Sequence, residues 1–256
     1  MNDTASRFLN ALGADIALLS DEQKSDLDEK GFIIIPDLID SLWLRDLKFR
    51  FDEITEEEGD NAAREHHKET GAPRLANLVN KGVVWEKVWS HPLLLSACLH
   101  IFGGDFKVSS LNGREPIKGG GRQPLHGDWK KPRPDYPKVH VVNSLWALDD
   151  ISPSNGAPRI IAGTHRRPEL PEDVIDNVMA PHPDEIIWEA PAGSVLIFNA
   201  HTWHGGTDNN TGARRRLLHG YFTSRDDPQQ QNQKKWITEA TRSRLTPAQR
   251  WLLDID

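Results

Sequence analysis

The chain has 256 residues, of which 37% are hydrophobic and 27% charged, as is typical of a globular protein with a substantial core. Its net charge of −7 argues against nucleic acid as a general partner, because phosphate neutralisation needs a dominant basic surface, and no apolar run is long enough to span a bilayer. The single cysteine, Cys98, excludes an internal disulfide and a cysteine metal cluster, and we interpret it as a buried core thiol.

The first part of the chain is predicted to be mainly helical. Ser20 can cap a helix over "DEQKSDLDEK" that ends at Gly31, and "FIIIP" follows as a short apolar strand. Apolar residues at helical spacing predict a longer amphipathic helix over residues 40–58. The polar stretch "EEEGDNAAREHHKETGAPR" is predicted to be an exposed loop, and "VWEKVWSHPLLLSACLHIFG" a helix with Pro92 near its start and Gly103 at its end.

After Asp105 the pattern changes to short apolar runs separated by Gly, Pro, Asn and Asp. Such runs are typical of a sandwich or barrel of short strands, and they are "FKVSSL", "VHVVNSLWAL", "PRIIAG", "EIIWEA", "SVLIFNA" and "RRLLHGYF". Beyond them, "DDPQQQNQKKW" is predicted to be a polar loop. The last segment, "TPAQRWLLDI", is predicted to be a helix whose capping box is formed by Thr246 and Gln249.

Neither a repeat nor a sharp change of composition divides the chain. We therefore expect a single domain over residues 1–256. It would consist of a helical N-terminal part over about 1–104, a β core over about 105–223, and a C-terminal loop and helix over about 224–256.

A histidine and an aspartate stand two positions apart in "RQPLHGDWKK". This segment resembles a strand, in which side chains alternate faces, so His126 and Asp128 would point the same way. The pair suits metal chelation, and "NAHTWHGGTDNNTGARRR" offers His201 or His204 as a third ligand. Six other histidines are interpreted as exposed loop residues, helix caps or satisfied core groups, namely His66, His67, His91, His100, His140 and His219.

Two imidazoles and one carboxylate on one face of a metal leave three positions open, which suits a non-haem Fe(II) that binds a cosubstrate and dioxygen together. An anionic chelator such as 2-oxoglutarate would bind well there, and its distal carboxylate would need a buried cation. Arginine suits that task, and "GARRR" supplies candidates. The ligand set alone also permits a zinc-type hydrolase or isomerase, and a non-catalytic binding protein is a third possibility.

Three blocks of the sequence together carry a specific family resemblance. They are "QPLHGDW", "LWALDDISPSNGAPRIIAGTHR" and "AGSVLIFNAHTWHGGTDNNTGARRRLLHGYF", and the likeness covers roughly residues 28–223. The chain resembles the phytanoyl-CoA dioxygenase family of Fe(II)/2-oxoglutarate oxygenases. The resemblance implies a mainly β fold, a double-stranded β-helix (a cupin-like jelly roll) with flanking helices. It also implies a dioxygenase that uses dioxygen to hydroxylate, or otherwise oxidise, a small metabolite or natural product, with succinate and carbon dioxide as co-products.

The same resemblance implies which residues hold the metal. His126 and Asp128 match the first two iron ligands of the family. His204 matches the third, since it lies 11 residues after Gly193 and directly before a glycine. His201 falls three residues early and is taken as a local structural residue. Because related halogenases replace the carboxylate ligand by a small residue, the presence of Asp128 favours hydroxylation over halogenation.

The resemblance also implies residues that bind 2-oxoglutarate. Arg215, 11 residues after His204, matches the arginine that the family uses for this purpose. Gln123 matches a glutamine that helps hold 2-oxoglutarate in several relatives, although it can equally be a plain strand residue. Many relatives carry a serine or threonine two residues after the distal histidine, where this chain has Gly206, so Thr207 or a water would have to substitute.

The substrate pocket is less well defined by the sequence. Trp129 and Trp203 adjoin iron ligands and are assigned to its wall together with Asn199, although core packing is an equally good reading of the tryptophans. The basic loop "KKPRPDYPK" after Asp128 would attract an anionic substrate or simply be solvated. The start of the chain, "MNDTASRFLN", lacks the basic and apolar regions of a signal peptide, and we expect a cytoplasmic protein without membrane or nucleic-acid partners. The sequence leaves open whether it is a monomer or a homodimer.

Overall fold

The fold is described by a computed structural model over residues 3–129 and 135–256. Most of the predicted basic loop, residues 130–134, lies outside this description. None of the helices in the described part combines the length and the apolar character that crossing a bilayer requires.

The N-terminal helices begin and end largely where capping residues predict. Ser20 forms a capping box with Gln23 at the start of the second helix, and the side chain of Asp40 accepts hydrogen bonds at the start of the third. The long helix predicted around Pro92 is instead two helices, because Pro92 takes the first position of a new helix that the His91 side chain caps. The helices are α1 (Asp3–Ala11), α2 (Asp21–Glu29), α3 (Ser41–Glu58), α4 (Glu86–Ser90) and α5 (Pro92–Phe102).

Two antiparallel sheets form the centre of the fold. The large sheet has the order β1-β7-β4-β9-β3-β2, and the small sheet has the order β6-β5-β8. The strands of the large sheet are β1 (Phe32–Ile35), β2 (Arg74–Leu75), β3 (Phe106–Arg114), β4 (Val141–Ala147), β7 (Val195–Asn199) and β9 (Leu217–Ser224). Those of the small sheet are β5 (Pro158–Ile160), β6 (Ile186–Ile187) and β8 (His204–Gly206). Every strand predicted from an apolar run is present.

Side chains of the large sheet alternate between two packed layers, as the two-residue period of a strand requires. Val195 and Ile197 of β7 pack in the hydrophobic cluster that also contains the helices. Leu196 and Phe198 pack in a second cluster with Ile160 of the small sheet. The sheets therefore face each other with helices outside, which is the jelly-roll arrangement that the sequence predicts.

Part of the C-terminal segment predicted to be a polar loop is helical and buried. The glutamine-rich stretch contains a short helix, and Gln231 and Gln233 within it are buried. The capping box of Thr246 and Gln249 is present and starts the last helix. The remaining helices are α6 (Pro171–Val174), α7 (Gln233–Trp236), α8 (Glu239–Arg244) and α9 (Pro247–Leu253).

Candidate active site

Backbone hydrogen bonds align the predicted metal ligands. The amide of His126 donates to the carbonyl of His204 at 2.9 Å, and the amide of His204 donates back to His126 at 2.9 Å. The amide of Asp128 donates to the carbonyl of Ala200 at 2.8 Å. The segment around His126 is therefore not the regular strand that its pattern suggests, but an extended stretch joined to β8 by a single bridge. The extended backbone still places His126 and Asp128 on one side, beside His204.

The three side chains converge at the edge of the small sheet. Nε2 of His126 and Nε2 of His204 each lie 3.7 Å from Oδ1 of Asp128. Ligand atoms of the three residues all lie within 4.8 Å of one another, and the imidazole centroids are 4.4 Å apart. His201 is not part of this cluster, because its Nε2 accepts a hydrogen bond from the amide of His140 at 3.1 Å.

Hydrogen bonds at Nδ1 determine the tautomer of both imidazoles. Nδ1 of His126 lies 2.8 Å from the carbonyl oxygen of Pro124, and Nδ1 of His204 lies 2.8 Å from that of Thr202. Because a carbonyl can only accept, each Nδ1 carries a proton and donates it, and in the neutral ring the lone pair is then on Nε2. Both histidines are thus held in the tautomer that a metal ligand needs.

Asn143 of β4 holds the carboxylate of Asp128, a contact that the sequence does not predict. Its Nδ2 donates to Oδ2 of Asp128 at 3.0 Å, on the oxygen opposite to the one that faces the histidines. Asn143 lies in the otherwise apolar run "VHVVNSLWAL", where a polar residue on the inward face of a buried strand was the available signal.

We expect Asn143→Ala to weaken Fe(II) binding by about 10- to 100-fold, the usual cost of losing a residue that orients a metal ligand. Anaerobic Fe(II) titration by calorimetry measures this. Asn199→Ala is a matched control, because Asn199 is a buried asparagine at a strand end that accepts a hydrogen bond from the His201 amide instead. Equal Fe(II) affinity in Asn143→Ala and the unmodified protein would show that Asp128 is oriented without this contact.

The ligand cluster opens into a cavity of about 340 Å³ between the two sheets. The inward residues of β9, His219 and Tyr221, lie on its wall, and so does Gln123. Further polar groups come from β3 and the glutamine-rich stretch, where Oγ of Ser110 donates to Oε1 of Gln230 at 2.6 Å. The cavity is therefore polar on the side of the large sheet.

Arg215 lies on the cavity wall and is 1% exposed. Its Nε and Nη2 are buried, and neither has a hydrogen-bond partner among residues 3–129 and 135–256. Burial, and next the positive charge of Arg114, lower the pKa of Arg215 well below its ordinary value. A buried guanidinium without an acceptor is costly, so this group fits an anion that enters the cavity.

The neighbouring arginines have different environments. Arg214 is half-exposed and pairs with Glu115 and Asp52. Arg216 donates from Nη2 to Oδ1 of Asp149 at 2.7 Å. As the alternation of side chains predicts, Arg215 alone of the three is on the cavity side, although β9 itself begins only at Leu217.

The two tryptophans assigned to the pocket lie outside the described cavity lining. Trp129 stacks on the ring of His140 with centroids 4.2 Å apart. Trp203 is 3% exposed and packs with Leu125 and Ile161 in a small hydrophobic cluster. Core packing, rather than contact with the cavity, accounts for both positions.

Thr207 and Asn199 also lie outside the described lining of the cavity. Oγ1 of Thr207 donates to the carbonyl of Ala157 at 2.9 Å, and its amide donates to the same oxygen at 3.0 Å. Both groups therefore serve sheet pairing, and Thr207 does not take the place of the hydroxyl missing at Gly206. Oδ1 of Asn199 accepts from the His201 amide at 3.1 Å and belongs to the turn before β8.

The polar stretch predicted as an exposed loop borders the cavity. His67 is exposed, as expected, but His66 is half-buried, and both line the cavity. Burial, with smaller effects of His67 and Arg74, lowers the pKa of His66 to about 4, so its imidazole is neutral at pH 7. Glu69, from the same stretch, pairs with both Arg74 and Arg114.

His219 was interpreted as a satisfied core histidine, and the structure corrects this. Its Nε2 is buried without a hydrogen-bond partner in the described part of the chain, and the residue lines the cavity. Burial, followed by the charges of Arg74 and Arg114, lowers its pKa well below the ordinary value, so the ring is neutral at pH 7. His219 is thus a polar group available to a molecule in the cavity.

A known protein family matches most of this chain. The sequence profile of the phytanoyl-CoA dioxygenase (PhyH) family matches residues 27–217. This range contains the ligand cluster, Gln123 and Arg215, and it begins within α2.

Two curated relatives are fungal dioxygenases. Dioxygenase af480 of Aspergillus fumigatus is 26% identical over 223 residues, which cover 82% of this chain and 69% of the relative. The Fe(II)/2-oxoglutarate-dependent dioxygenase nvfF of Aspergillus novofumigatus is 30% identical over 146 residues, which cover 54% of this chain and 46% of the relative. The chain thus matches between about half and two thirds of their length.

A solved structure shows the same fold. HygX from Streptomyces hygroscopicus, crystallised with nickel and 2-oxoglutarate bound, superposes with a TM-score of 0.68 at 18% sequence identity. The superposition covers 82% of this chain and 89% of HygX. The match therefore extends over most of both chains.

Proposed function

Since the chain belongs to the phytanoyl-CoA dioxygenase family of Fe(II)/2-oxoglutarate-dependent dioxygenases, we propose that it hydroxylates a small-molecule metabolite in the cytoplasm, with His126, Asp128 and His204 as its iron ligands. One observation carries the assignment of these residues. Three side chains that can bind a metal line the same cavity as a buried arginine, Arg215, which has no acceptor among the described residues.

The donor set fits the metal and the cosubstrate. Two neutral imidazoles with Nε2 lone pairs and one carboxylate suit Fe(II) with open coordination positions. The unpartnered Nε and Nη2 of Arg215 fit the distal carboxylate of 2-oxoglutarate. A zinc hydrolase would use the same three ligands but would leave Arg215 buried without an anion, so this alternative explains less of the cavity.

When bound, iron and 2-oxoglutarate supply the oxidation of a substrate C–H bond by dioxygen, with succinate and carbon dioxide released. His126, Asp128 and His204 would hold the metal from one side, and Asn143 keeps the Asp128 carboxylate in place. Arg215 would orient 2-oxoglutarate by its distal end. The polar wall of Ser110 and Gln230 offers hydrogen bonds to a substrate with polar groups.

Asp128 also supports hydroxylation as the outcome. Its Oδ1 faces both imidazoles, so with iron bound it would take the coordination position that a halide would need. Loss of this carboxylate is what opens a chloride site in related halogenases.

We expect anaerobic addition of Fe(II) and 2-oxoglutarate to give a visible charge-transfer band, because a chelating 2-oxo acid accepts charge from Fe(II). Fe(II) alone, or Zn(II) with 2-oxoglutarate, serves as the control and should give none. Absence of the band, together with tight Zn(II) binding and Zn(II)-dependent hydrolysis of ester or amide substrates, would favour the hydrolase.

A further inference from the structure

Gly206 lacks the hydroxyl group that many relatives carry two residues after the distal histidine. A Cβ at this position would lie 2.5 Å from the carbonyl oxygen of Gly121, which is closer than such atoms approach. A serine or threonine therefore does not fit here. The same Cβ would lie 3.3 Å from Nη1 of Arg114 and 3.3 Å from Oε1 of Gln123, so these two polar groups already border the space beside Gly206.

The guanidinium group of Arg114 is held by hydrogen bonds from two of its three nitrogens. It is the last residue of β3 and is 1% exposed. Its Nε donates to Oε2 of Glu69 at 3.0 Å, and its Nη2 donates to Glu69 and, at 2.8 Å, to the carbonyl of Gly121. Its Nη1 has no hydrogen-bond partner within residues 3–129 and 135–256, and Arg114 lines the cavity.

Arg114 and Arg215 flank the same end of the cavity. Arg114 is the register partner of Leu217, and Arg215 precedes Leu217 by two residues on the cavity side. Glu69 is shared between Arg114 and Arg74, so it leaves a positive charge in this region uncompensated. An anionic group placed between the two guanidinium groups would be stabilised by both.

We propose that Arg114 is a second cosubstrate-binding residue, whose Nη1 acts beside Gln123 and Arg215 on the distal carboxylate of 2-oxoglutarate. This inference rests on the proposed function. Arg114 thus takes over the contact that a hydroxyl two residues after the distal histidine would make, and Glu69, from the polar stretch before β2, holds it in position. A carboxylate can accept about four hydrogen bonds, so both arginines and the glutamine can be accommodated.

The test is 2-oxoglutarate binding by calorimetry to the Mn(II)-loaded full chain without dioxygen. We expect Arg114→Gln to raise the dissociation constant about 10- to 100-fold, the effect of losing one charged hydrogen bond, with Mn(II) affinity unchanged. Arg114→Lys keeps the charge and the Glu69 pair, and should raise it by a smaller factor. Arg216→Gln is the matched control, since Arg216 is also a buried arginine paired with a carboxylate but lies outside the described lining of the cavity, and it should leave 2-oxoglutarate affinity unchanged.

Pyruvate, a 2-oxo acid without the distal carboxylate, identifies the end that Arg114 binds. We expect wild type and Arg114→Gln to bind pyruvate equally. Wild-type 2-oxoglutarate affinity in both Arg114 variants, or an equal loss for pyruvate, would overturn the proposal. If Arg114→Gln does not fold, wild-type affinity in Arg114→Lys overturns it and a loss confined to 2-oxoglutarate supports it. Failure of the unmodified protein to bind 2-oxoglutarate at all would instead contradict the proposed function.

Discussion

Alanine at His126, Asp128 or His204 should abolish Fe(II)-dependent turnover while leaving a protein that still unfolds cooperatively. Each residue supplies one of the three atoms that we propose bind the metal, and no second group of three such side chains is found in the described part of the chain. Even the loss of a residue that only orients a ligand usually lowers metal affinity 10- to 100-fold, so losing a histidine ligand should cost at least about that. Anaerobic Fe(II) titration and consumption of 2-oxoglutarate measure the two effects.

His201→Ala is the control for the third ligand, because His201 lies three residues before His204 in the same turn. Its Nε2 accepts from the His140 amide in the core, so the substitution should lower thermal stability but leave Fe(II) binding intact. Retained Fe(II) binding in His204→Ala together with its loss in His201→Ala would reassign the ligand.

The features that could be predicted from the sequence are those whose signal is local. Ser20 with Gln23 and Thr246 with Gln249 are capping boxes within four residues, and both start helices in the structure. Each apolar run of the β core is continuous in the sequence, so it predicts a strand without information from distant residues. β2 and β8 were missed because neither belongs to an apolar run: β2 begins at the end of the polar stretch, and β8 consists of one histidine and two glycines.

The parts of the site that could not be predicted depend on partners distant in the sequence. Glu69 belongs to a charged stretch whose composition predicts a solvent-exposed loop. In the structure it pairs with Arg114 of β3, which lies 45 residues later in the chain. Asn143 gains its role only because Asp128 faces β4 across the two sheets. Composition cannot distinguish a charged residue on the surface from one that is paired at a cavity wall, because the difference is made by tertiary contacts.

Arg215→Ala should raise the 2-oxoglutarate requirement about ten- to several-hundred-fold, with Fe(II) binding retained. Each charge-assisted hydrogen bond in a buried site contributes about 1.5 to 3 kcal/mol, and every 1.4 kcal/mol corresponds to about a factor of ten. Arg215→Lys should recover only part of the loss, since an ammonium keeps the charge without the two-pronged geometry. Titration of 2-oxoglutarate at fixed Fe(II) measures the effect.

Arg214→Ala is the matched control, because Arg214 is an adjacent arginine whose partners, Glu115 and Asp52, lie away from the cavity. Its 2-oxoglutarate requirement should stay that of the unmodified protein. Arg216→Ala should mainly lower stability, because it leaves Asp149 without its principal partner. A normal requirement in Arg215→Ala with a large defect in Arg214→Ala would place the cosubstrate on the other side of the chain.

The stability of the Arg215 variants distinguishes a binding role from a structural one. In the protein without 2-oxoglutarate, Arg215 is a buried cation without an acceptor among the described residues, and such a group destabilises the folded state. Arg215→Met replaces the buried guanidinium by an apolar side chain that still fills the site. It should therefore raise the melting temperature of the metal-free protein while it weakens 2-oxoglutarate binding. An arginine that served the fold would give the opposite sign, a lower melting temperature with cosubstrate affinity unchanged. The two measurements on one variant thus test whether stability has been given up at this position for cosubstrate recognition.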